Sequence, residues 1–239
     1  MQRTLVLLAG VEADGWEIAS DYRPARSIGG DFFDVFPLLD PDRPRHLGIV
    51  IADVSGKGIA AAVMMAFARA VLRSALDRSG DPVQALELTN GILVNERRTG
   101  LFITVLCGVL DLDTGVLEYA NAGHERPLLA RPDGSDPTWV EGAGPLLGVF
   151  GRLDLTLQRL EIKPGERIVL YTDGITDAAA PDGSRFGDLR LFSKITECGV
   201  ADTAEDTARS VIQSVLAFQG SAQPADDLAL LVFRRLPAA

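Results

Sequence analysis

Short apolar runs bounded by turn residues recur along the chain and predict β-strands. Several are rich in β-branched and aromatic residues, which favour extended backbone. The run from His46 to Asp53 has the strongest strand pattern. The predicted strands are residues 16–22, 32–39, 46–53, 101–110, 116–120, 127–131, 153–162, 167–171 and 228–235.

Longer apolar segments separate these runs and predict helices. Residues 58–75 are apolar over most of a helical circumference, which indicates a helix buried on several sides. Residues 81–97 predict a second helix, with Asp81 as N-cap and Pro82 at the first helical position. Residues 186–197 and 202–218 predict two more.

The run Leu101–Leu110 is apolar on both alternating faces, so the strand must be covered on both sides. Parallel sheets are the usual cause of such burial. Here only residues 111–115 connect the run to the next strand, and so short a connection permits only an antiparallel hairpin. The sequence therefore predicts an α+β fold of two antiparallel sheets flanked by helices, a four-layer α/β/β/α sandwich.

The chain has 239 residues, with no linker rich in Pro, Gly or Ser and no repeat of solenoid length. A folded chain of this size buries about 70% of the surface that its unfolded chain exposes, so a single domain needs no disulfide or metal cross-links for stability. We expect one domain over residues 1–239, with a core from about 16 to 235.

Composition excludes several classes of protein. The formal net charge of −10 argues against a partner bound through phosphate charge, such as nucleic acid. Cys107 and Cys198 have no metal-ligand spacing and predict a reducing compartment. No apolar stretch reaches the roughly 20 residues of a membrane span, and Met1–Gly10 lacks the features of a signal peptide. We expect a cytoplasmic protein without a membrane partner.

Aspartates stand at the ends of four separate apolar strands. They are Asp31 with Asp34, Asp53, Asp173, and the pair 226–227. A turn or a helix cap explains any one of them. Four such sites, in a fold whose strand ends can converge, are better explained by carboxylates around a divalent cation. All nearby donors are oxygen atoms, which favours Mg²⁺ or Mn²⁺ over Zn²⁺.

Five ordered motifs resemble the PPM-type (protein phosphatase 2C-like) metal-dependent serine/threonine phosphatases, in their SpoIIE/RsbU branch. The resemblance covers residues 17–235 and implies the same four-layer sandwich. The motifs are GGDFFD at 29–34, DVSGKG at 53–58, NAGH at 121–124, YTDG at 171–174 and DD at 226–227.

The resemblance implies a ligand set for two Mn²⁺ or Mg²⁺ ions. Asp53 would bridge the two metals, with the backbone carbonyl of Val54 on one of them. Asp173 and Asp226 would complete one metal site, and Asp31 the other, directly or through water. Asp53, Asp31 and Asp173 are therefore the predicted catalytic residues.

Two neighbouring aspartates leave alternatives open. Asp227 could exchange roles with Asp226, and Asp34 is either a further acidic group of the site or only a capping or solvated residue. A pair of metals lowers the pKa of a shared water, so the predicted reaction is direct hydrolysis of a phosphoserine or phosphothreonine monoester.

The proton donor to the leaving group remains open between His124 and metal-bound water, and a histidine hydrogen-bonded to a turn explains His124 equally well. His46 is expected at the surface. Arg26 is a candidate phosphate contact, with an exposed arginine as the simpler alternative. Lys57 lies between two glycines, but the surrounding residues do not fit the GxxxxGK[ST] phosphate loop.

The resemblance also implies a role in bacterial sigma-factor partner switching, with a phosphorylated anti-sigma-factor antagonist as the protein substrate. It allows a homodimer. One departure is Ala229, where the family commonly has threonine. The alternative function is a catalytically quiet binding module of the same fold that sequesters a signalling partner.

Overall fold

The computed structural model describes residues 11, 13–26, 29–40, 42, 45–95, 100–199 and 201–237. Two sheets and four helices account for most of this part of the chain. The elements are β1 (Trp16–Arg23), β2 (Phe32–Pro37), β3 (His46–Val54), α1 (Ile59–Ser79), α2 (Pro82–Asn95), β4 (Ile103–Asp111), β5 (Val116–Ala122), β6 (Leu128–Ala130), β7 (Thr138–Trp139), β8 (Gln158–Glu161), β9 (Arg167–Tyr171), α3 (Gly187–Thr196), α4 (Ala204–Gln219) and β10 (Leu228–Arg235).

The described chain divides into two compact units. The first takes its described residues from 11–14, 28–124 and 141–161. Its sheet has the strand order β2-β3-β4-β5-β8, and every neighbouring pair is antiparallel. One face of the sheet packs against the buried stripe of α1 and the apolar side of α2. The β4–β5 hairpin confirms the antiparallel connection that its short turn predicts.

The second unit takes its described residues from 15–27, 125–140 and 162–237. Its sheet has the order β1-β10-β9-β6-β7 and is also antiparallel throughout. Helices α3 and α4 cover one face, packing on alternate residues of β9 and β10. Thr203 and Asp206 form a reciprocal capping box at the start of α4, which fixes where that helix begins.

Caps and turns explain why most element boundaries agree with the predicted ones. The Asp81 carboxylate accepts hydrogen bonds from the backbone N–H groups of Val83 and Gln84, so the predicted N-cap of α2 is confirmed. Gly80, with φ near +60°, ends α1 in the left-handed conformation that glycine adopts without strain. Residues 96–97 of the predicted second helix, and the segment Met1–Gly10, lie outside the described residues.

Two predictions about local structure are wrong, and one short strand was not predicted. The predicted strand 153–162 is a strand only over β8, because Leu153 and Leu155 pack against the core from an irregular loop. The two-residue strand β7 has too short a pattern to be recognised in sequence. Helix α1 is not buried on several sides, since Ile59 and Val63 on its outer face are 75% and 65% exposed.

Among the described helices, α1 alone has the length and composition that could cross a membrane. An 18-residue window of it has a mean hydropathy of 1.7, and 33% of that window is buried. A core helix of a globular unit has the same properties, and the buried stripe of α1 packs on the sheet of the first unit. The fold prediction, an α+β chain with two antiparallel sheets and flanking helices, is confirmed. That residues 1–239 form one domain stays a prediction.

Candidate functional site

In the first unit, two of the predicted site aspartates lie side by side. Strands β2 and β3 pair antiparallel with Phe32 opposite Ala52, so Asp31, one residue before β2, is level with Asp53. Asp31 is 1% exposed, whereas Asp53 is half-buried. By the alternation of the strand, both carboxylates belong to the sheet face that does not carry α1 and α2. Two carboxylates at neighbouring positions repel each other unless a cation lies near them.

Gly30 is packed directly against the backbone carbonyl of Val54. A Cβ atom at position 30 would lie 2.7 Å from the Val54 oxygen, closer than such atoms approach in proteins. Gly30 therefore has a steric reason: it lets the chain pass the carbonyl that the family resemblance implies as a metal ligand. Gly56, with φ near +91°, then turns the chain away from β3 toward α1.

The NAGH motif at 121–124 holds an imidazole close to Asp53. The backbone N–H of His124 donates to Asn121 Oδ1 at 2.8 Å, and Asn121 Nδ2 donates to the His124 carbonyl at 3.0 Å. His124 Nδ1 lies 3.0 Å from the hydroxyl of Thr104, and Thr104 is the cross-strand partner of Asp53. The motif thus forms the hydrogen-bonded turn that the simpler interpretation predicts, at the end of β5, with β4 between it and the strand that carries Asp53.

In the second unit, the other acidic strand ends also lie side by side. The Thr172 backbone N–H donates to the Ala229 carbonyl at 3.1 Å, and the Ala229 N–H donates to the Thr172 hydroxyl at 3.2 Å. These bonds extend the β9–β10 ladder up to Asp173. The following glycine makes the closest approach, because a Cβ atom on Gly174 would lie 1.8 Å from the Asp227 carbonyl oxygen.

The pair Asp226 and Asp227 is held by its own unit. Asp227 Oδ1 accepts a hydrogen bond from the Ala25 backbone N–H at 2.8 Å, and Asp227 Oδ2 lies 3.5 Å from the Tyr22 hydroxyl. Asp226 Oδ1 accepts the backbone N–H of Asp227 at 3.0 Å. A carboxylate oxygen of each lies within 4.8 Å of one of the other. This short separation leaves both of them as candidate ligands.

Asp34 takes part in an ion-pair cluster with α1. Its carboxylate is 3% exposed and lies 3.1 Å from Arg69 Nε and 3.3 Å from Arg73 Nη1. The Arg73 guanidinium also stacks 4.4 Å from the centre of the Phe36 ring. Asp34 is therefore neither a capping group nor a solvated residue, but the anchor that ties α1 to β2.

Replacing Asp34 by asparagine should lower stability and leave metal binding intact. The neutral amide leaves the part-buried Arg69 and the more exposed Arg73 without this countercharge, so we expect about 1–3 kcal/mol less free energy of unfolding. Thermal unfolding in EDTA should show the loss, and Mn²⁺ should still raise the melting temperature of Asp34→Asn. The exposed Asp136→Asn serves as control. Disappearance of the Mn²⁺ shift in Asp34→Asn would place Asp34 among the ligands instead.

The remaining charged candidates lie at different places. Arg26 is exposed and directly follows Ala25, the residue that binds the Asp227 carboxylate, so it stands beside the acidic pair. His46 begins β3, at the strand's opposite end from Asp53, with Nε2 4.0 Å from Asp111 Oδ2. Lys57 is exposed in the loop before α1. Residues 27–28, between Arg26 and the glycine pair, lie outside the described residues.

Several residues that shape these strand ends have no signal of their own in the sequence. Thr104 lies in an apolar run, and its place beside the site is evident only from its pairing with Asp53 and its contact with His124. Tyr22 and Ala25 are about 200 residues from the aspartate they bind. Gly174 is different, because an Asp-Gly pair at a strand end already indicates a tight turn.

Three known proteins are similar to this chain. Protein IcfG of Synechocystis sp. is 33% identical over 223 residues, which is 82% of this chain and 34% of IcfG. Phosphoserine phosphatase RsbU of Bacillus subtilis is 27% identical over 235 residues, 98% of this chain and 68% of RsbU. The SiaA-PP2C domain of Pseudomonas aeruginosa has a TM-score of 0.79 at 23% identity, covering 91% of this chain and 85% of that domain.

The extent of these matches differs between the relatives. The chain spans about a third of the length of IcfG and about two thirds of RsbU. The likeness to the SiaA domain shows the fold. The family model for Stage II sporulation protein E (SpoIIE) matches residues 43–236, which include the strand ends at Asp53, Asp173 and Asp226. The chain therefore belongs to the SpoIIE family.

Proposed function

We propose that this chain is a divalent-metal-dependent phosphatase of phosphoserine or phosphothreonine in a protein. The single observation that carries the proposal is the pairing of acidic strand ends within each unit: Asp31 beside Asp53, and Asp173 beside the pair 226–227. The SpoIIE family model covers three of these strand ends, at Asp53, Asp173 and Asp226, which supports a common function for them.

The donor set fits a hard divalent cation. In the proposed assignment Asp53 would serve both of two Mn²⁺ or Mg²⁺ ions, Val54 would offer its backbone carbonyl, and Asp31, Asp173 and Asp226 would supply the other carboxylates. The closeness of Gly30 to the Val54 carbonyl supports a role for that oxygen, because a larger residue would push it aside. When bound, such cations supply Lewis acidity and lower the pKa of a coordinated water. A ligand set drawn from both units, and the number of ions, belong to the proposal.

Other residues of the chain position the substrate and the ligands. The Ala25 backbone N–H and the Tyr22 hydroxyl orient Asp227, which leaves Asp226 as the better candidate ligand of the pair. Arg26, next to Ala25, is suited to bind the phosphate of the substrate through its fork of N–H donors. Asn121 and Thr104 fix the ring of His124, so this imidazole is the residue best placed to move a proton near Asp53.

We further propose a cytoplasmic phosphoprotein of the anti-sigma-factor-antagonist type as substrate, in a partner-switching pathway. RsbU and RsbP of Bacillus subtilis are both named phosphoserine phosphatases, and their likeness to this chain supports that assignment. The low pI of about 4.7 also disfavours nucleic acid as partner. A homodimer and a single domain over the whole chain are part of the same proposal.

Phosphate release tests this function. A phosphoserine peptide and p-nitrophenyl phosphate should both be hydrolysed with Mn²⁺ or Mg²⁺ and not with EDTA. Metal binding to the folded protein should also raise its stability by about 2.7 kcal/mol at a hundredfold excess over Kd. A metal-induced rise in melting temperature without any phosphate release would favour the quiet binding module. Absence of both effects would contradict the metal centre itself.

A further inference from the structure

A small cleft lies in the second unit beside the strand end that carries Asp173. We call it the Trp139 cleft and define it by the residues that line it: Arg126, Trp139, Asp188, Leu189 and Phe192. Strands β6 and β9 pair with Leu128 opposite Val169, and two further residues in this register bring Arg126 level with Tyr171. Position 171 is two residues from Asp173.

The α3 wall of the cleft is also tied to the Asp173 turn. The Asp177 backbone N–H donates to the Asp173 carbonyl at 2.7 Å, and the Gly187 N–H donates to the Thr176 carbonyl at 2.8 Å. Gly187 is the first residue of α3, so Asp188 and Leu189 stand at the beginning of a helix fixed to that turn. The cleft therefore has a defined position relative to one of the proposed metal ligands.

Aromatic and aliphatic side chains form the walls. The rings of Trp139 and Phe192 are 6.5 Å apart between centroids, and the Arg126 guanidinium carbon lies 5.5 Å from the centre of the Trp139 ring. Leu189 is 83% exposed at the rim. The volume of about 200 Å³ is below the usual size of a site for a small-molecule ligand. It is suited to one large aliphatic side chain of a polypeptide.

Asp188 is the acidic residue that lines the cleft, and Glu125 directly precedes the lining residue Arg126. Burial raises the pKa of Glu125, and the nearby charges of Asp188 and Asp177 raise it further, while Arg126 opposes them. Asp177 is paired with Arg185 at 2.7 Å, so Glu125 and Asp188 contribute the excess negative charge. A cationic group placed between these two carboxylates would relieve their repulsion.

We propose that the Trp139 cleft binds a basic and apolar segment of the phosphoprotein substrate. One large aliphatic side chain enters between Trp139 and Leu189, and a neighbouring arginine or lysine pairs with Asp188 and Glu125. This inference rests on the proposed phosphatase function and specifies which part of the substrate, outside the phosphorylated residue, gives selectivity. The proximity of the cleft to Asp173 sets a fixed spacing between that segment and the phosphoserine.

A set of phosphoserine peptides tests the inference. An Arg-Leu pair is moved through each position on both sides of the phosphoserine, and matched peptides carry Glu-Ser instead. With Mn²⁺, kcat/KM should be about tenfold higher for Arg-Leu at one spacing than for Glu-Ser at that spacing. Leu189→Ser should bring this ratio close to one. Asp188→Lys should reverse the charge preference, so that Glu-Leu becomes better than Arg-Leu.

Two measures keep the selectivity distinct from general damage. Each ratio is compared within one variant, relative to its own turnover of p-nitrophenyl phosphate. Leu157→Ser removes an exposed leucine, 47% accessible, that lies outside the cleft and should keep the wild-type ratio. If no spacing gives a preference in the wild type, or if Leu189→Ser and Asp188→Lys keep it, the inference is wrong.

Fluorescence separates this inference from the proposed function. The chain has two tryptophans, so Trp16→Phe leaves Trp139 as the reporter. In EDTA, the unphosphorylated form of the best Arg-Leu peptide should change Trp139 emission saturably, with a Kd at least about fivefold weaker in Leu189→Ser. Saturable binding without any phosphate release would retain the cleft and reject the phosphatase. Phosphate release without peptide binding or selectivity would retain the phosphatase and reject the role of the cleft.

Discussion

Asp53→Asn should lose at least about a hundredfold of phosphatase turnover, together with Mn²⁺ binding, while the protein remains folded. In the proposed centre this carboxylate would serve both cations, so the neutral amide would remove the single negative charge that they share. Without metal the change has the opposite sign, because Asp53 is level with the buried Asp31 and the two carboxylates repel each other.

The measurement is therefore a pair of melting curves for each protein. In EDTA, Asp53→Asn should melt at the wild-type temperature or slightly above it, and in Mn²⁺ it should show little of the wild-type increase. Asp34→Asn should give the reverse pattern, because Asp34 pairs with Arg69 and Arg73 of α1. An Asp53→Asn protein with near-normal turnover and a full Mn²⁺ shift would contradict the bridging role.

Much of the fold could be predicted because its boundaries are marked locally. Strands β9 and β10 have the predicted bounds, since an Asp-Gly turn ends one and an Asp pair begins the other. The strand prediction for residues 153–162 was wrong over its first part. Leu153 and Leu155 alternate as strand residues do, yet they pack on the core from a loop. Periodicity reports burial of a side chain, and only pairing with another strand distinguishes these cases.

The site was predictable to the level of which residues are acidic and where they occur along strands. The role of Asp34 was not, because its partners come 35 and 39 residues later, on a helix whose packing is set by tertiary structure. The Tyr22 and Ala25 contacts to Asp227 are likewise fixed by the pairing of β1 with β10. A sequence shows the candidate ligands, whereas the groups that orient them depend on the register of the sheets.

Among the described glycines, Gly174 should lose the most stability when it is replaced by alanine. The new Cβ would lie 1.8 Å from the carbonyl oxygen of Asp227 and 2.9 Å from its carbonyl carbon, both of them main-chain atoms. The backbone of Gly174 is not in the left-handed region, so the expected damage comes from the clash and not from a conformation that alanine avoids. To relieve the clash, the turn that follows β9 must move away from Asp226 and Asp227.

We expect Gly174→Ala to lose about 3 kcal/mol of unfolding free energy or more, and with it about 6–12 °C of melting temperature for a chain of this size. Its Mn²⁺ affinity should fall as well, because the clash separates Asp173 from Asp226. Gly199→Ala is the matched control in the same unit: its added Cβ would meet nothing closer than a side-chain oxygen of Asp202 at 3.8 Å, so it should unfold as the wild type does. Equal melting curves for the two variants would mean that the Asp173 turn can shift away from Asp227 at little cost, and the close packing of these strand ends would then have no part in holding the metal ligands.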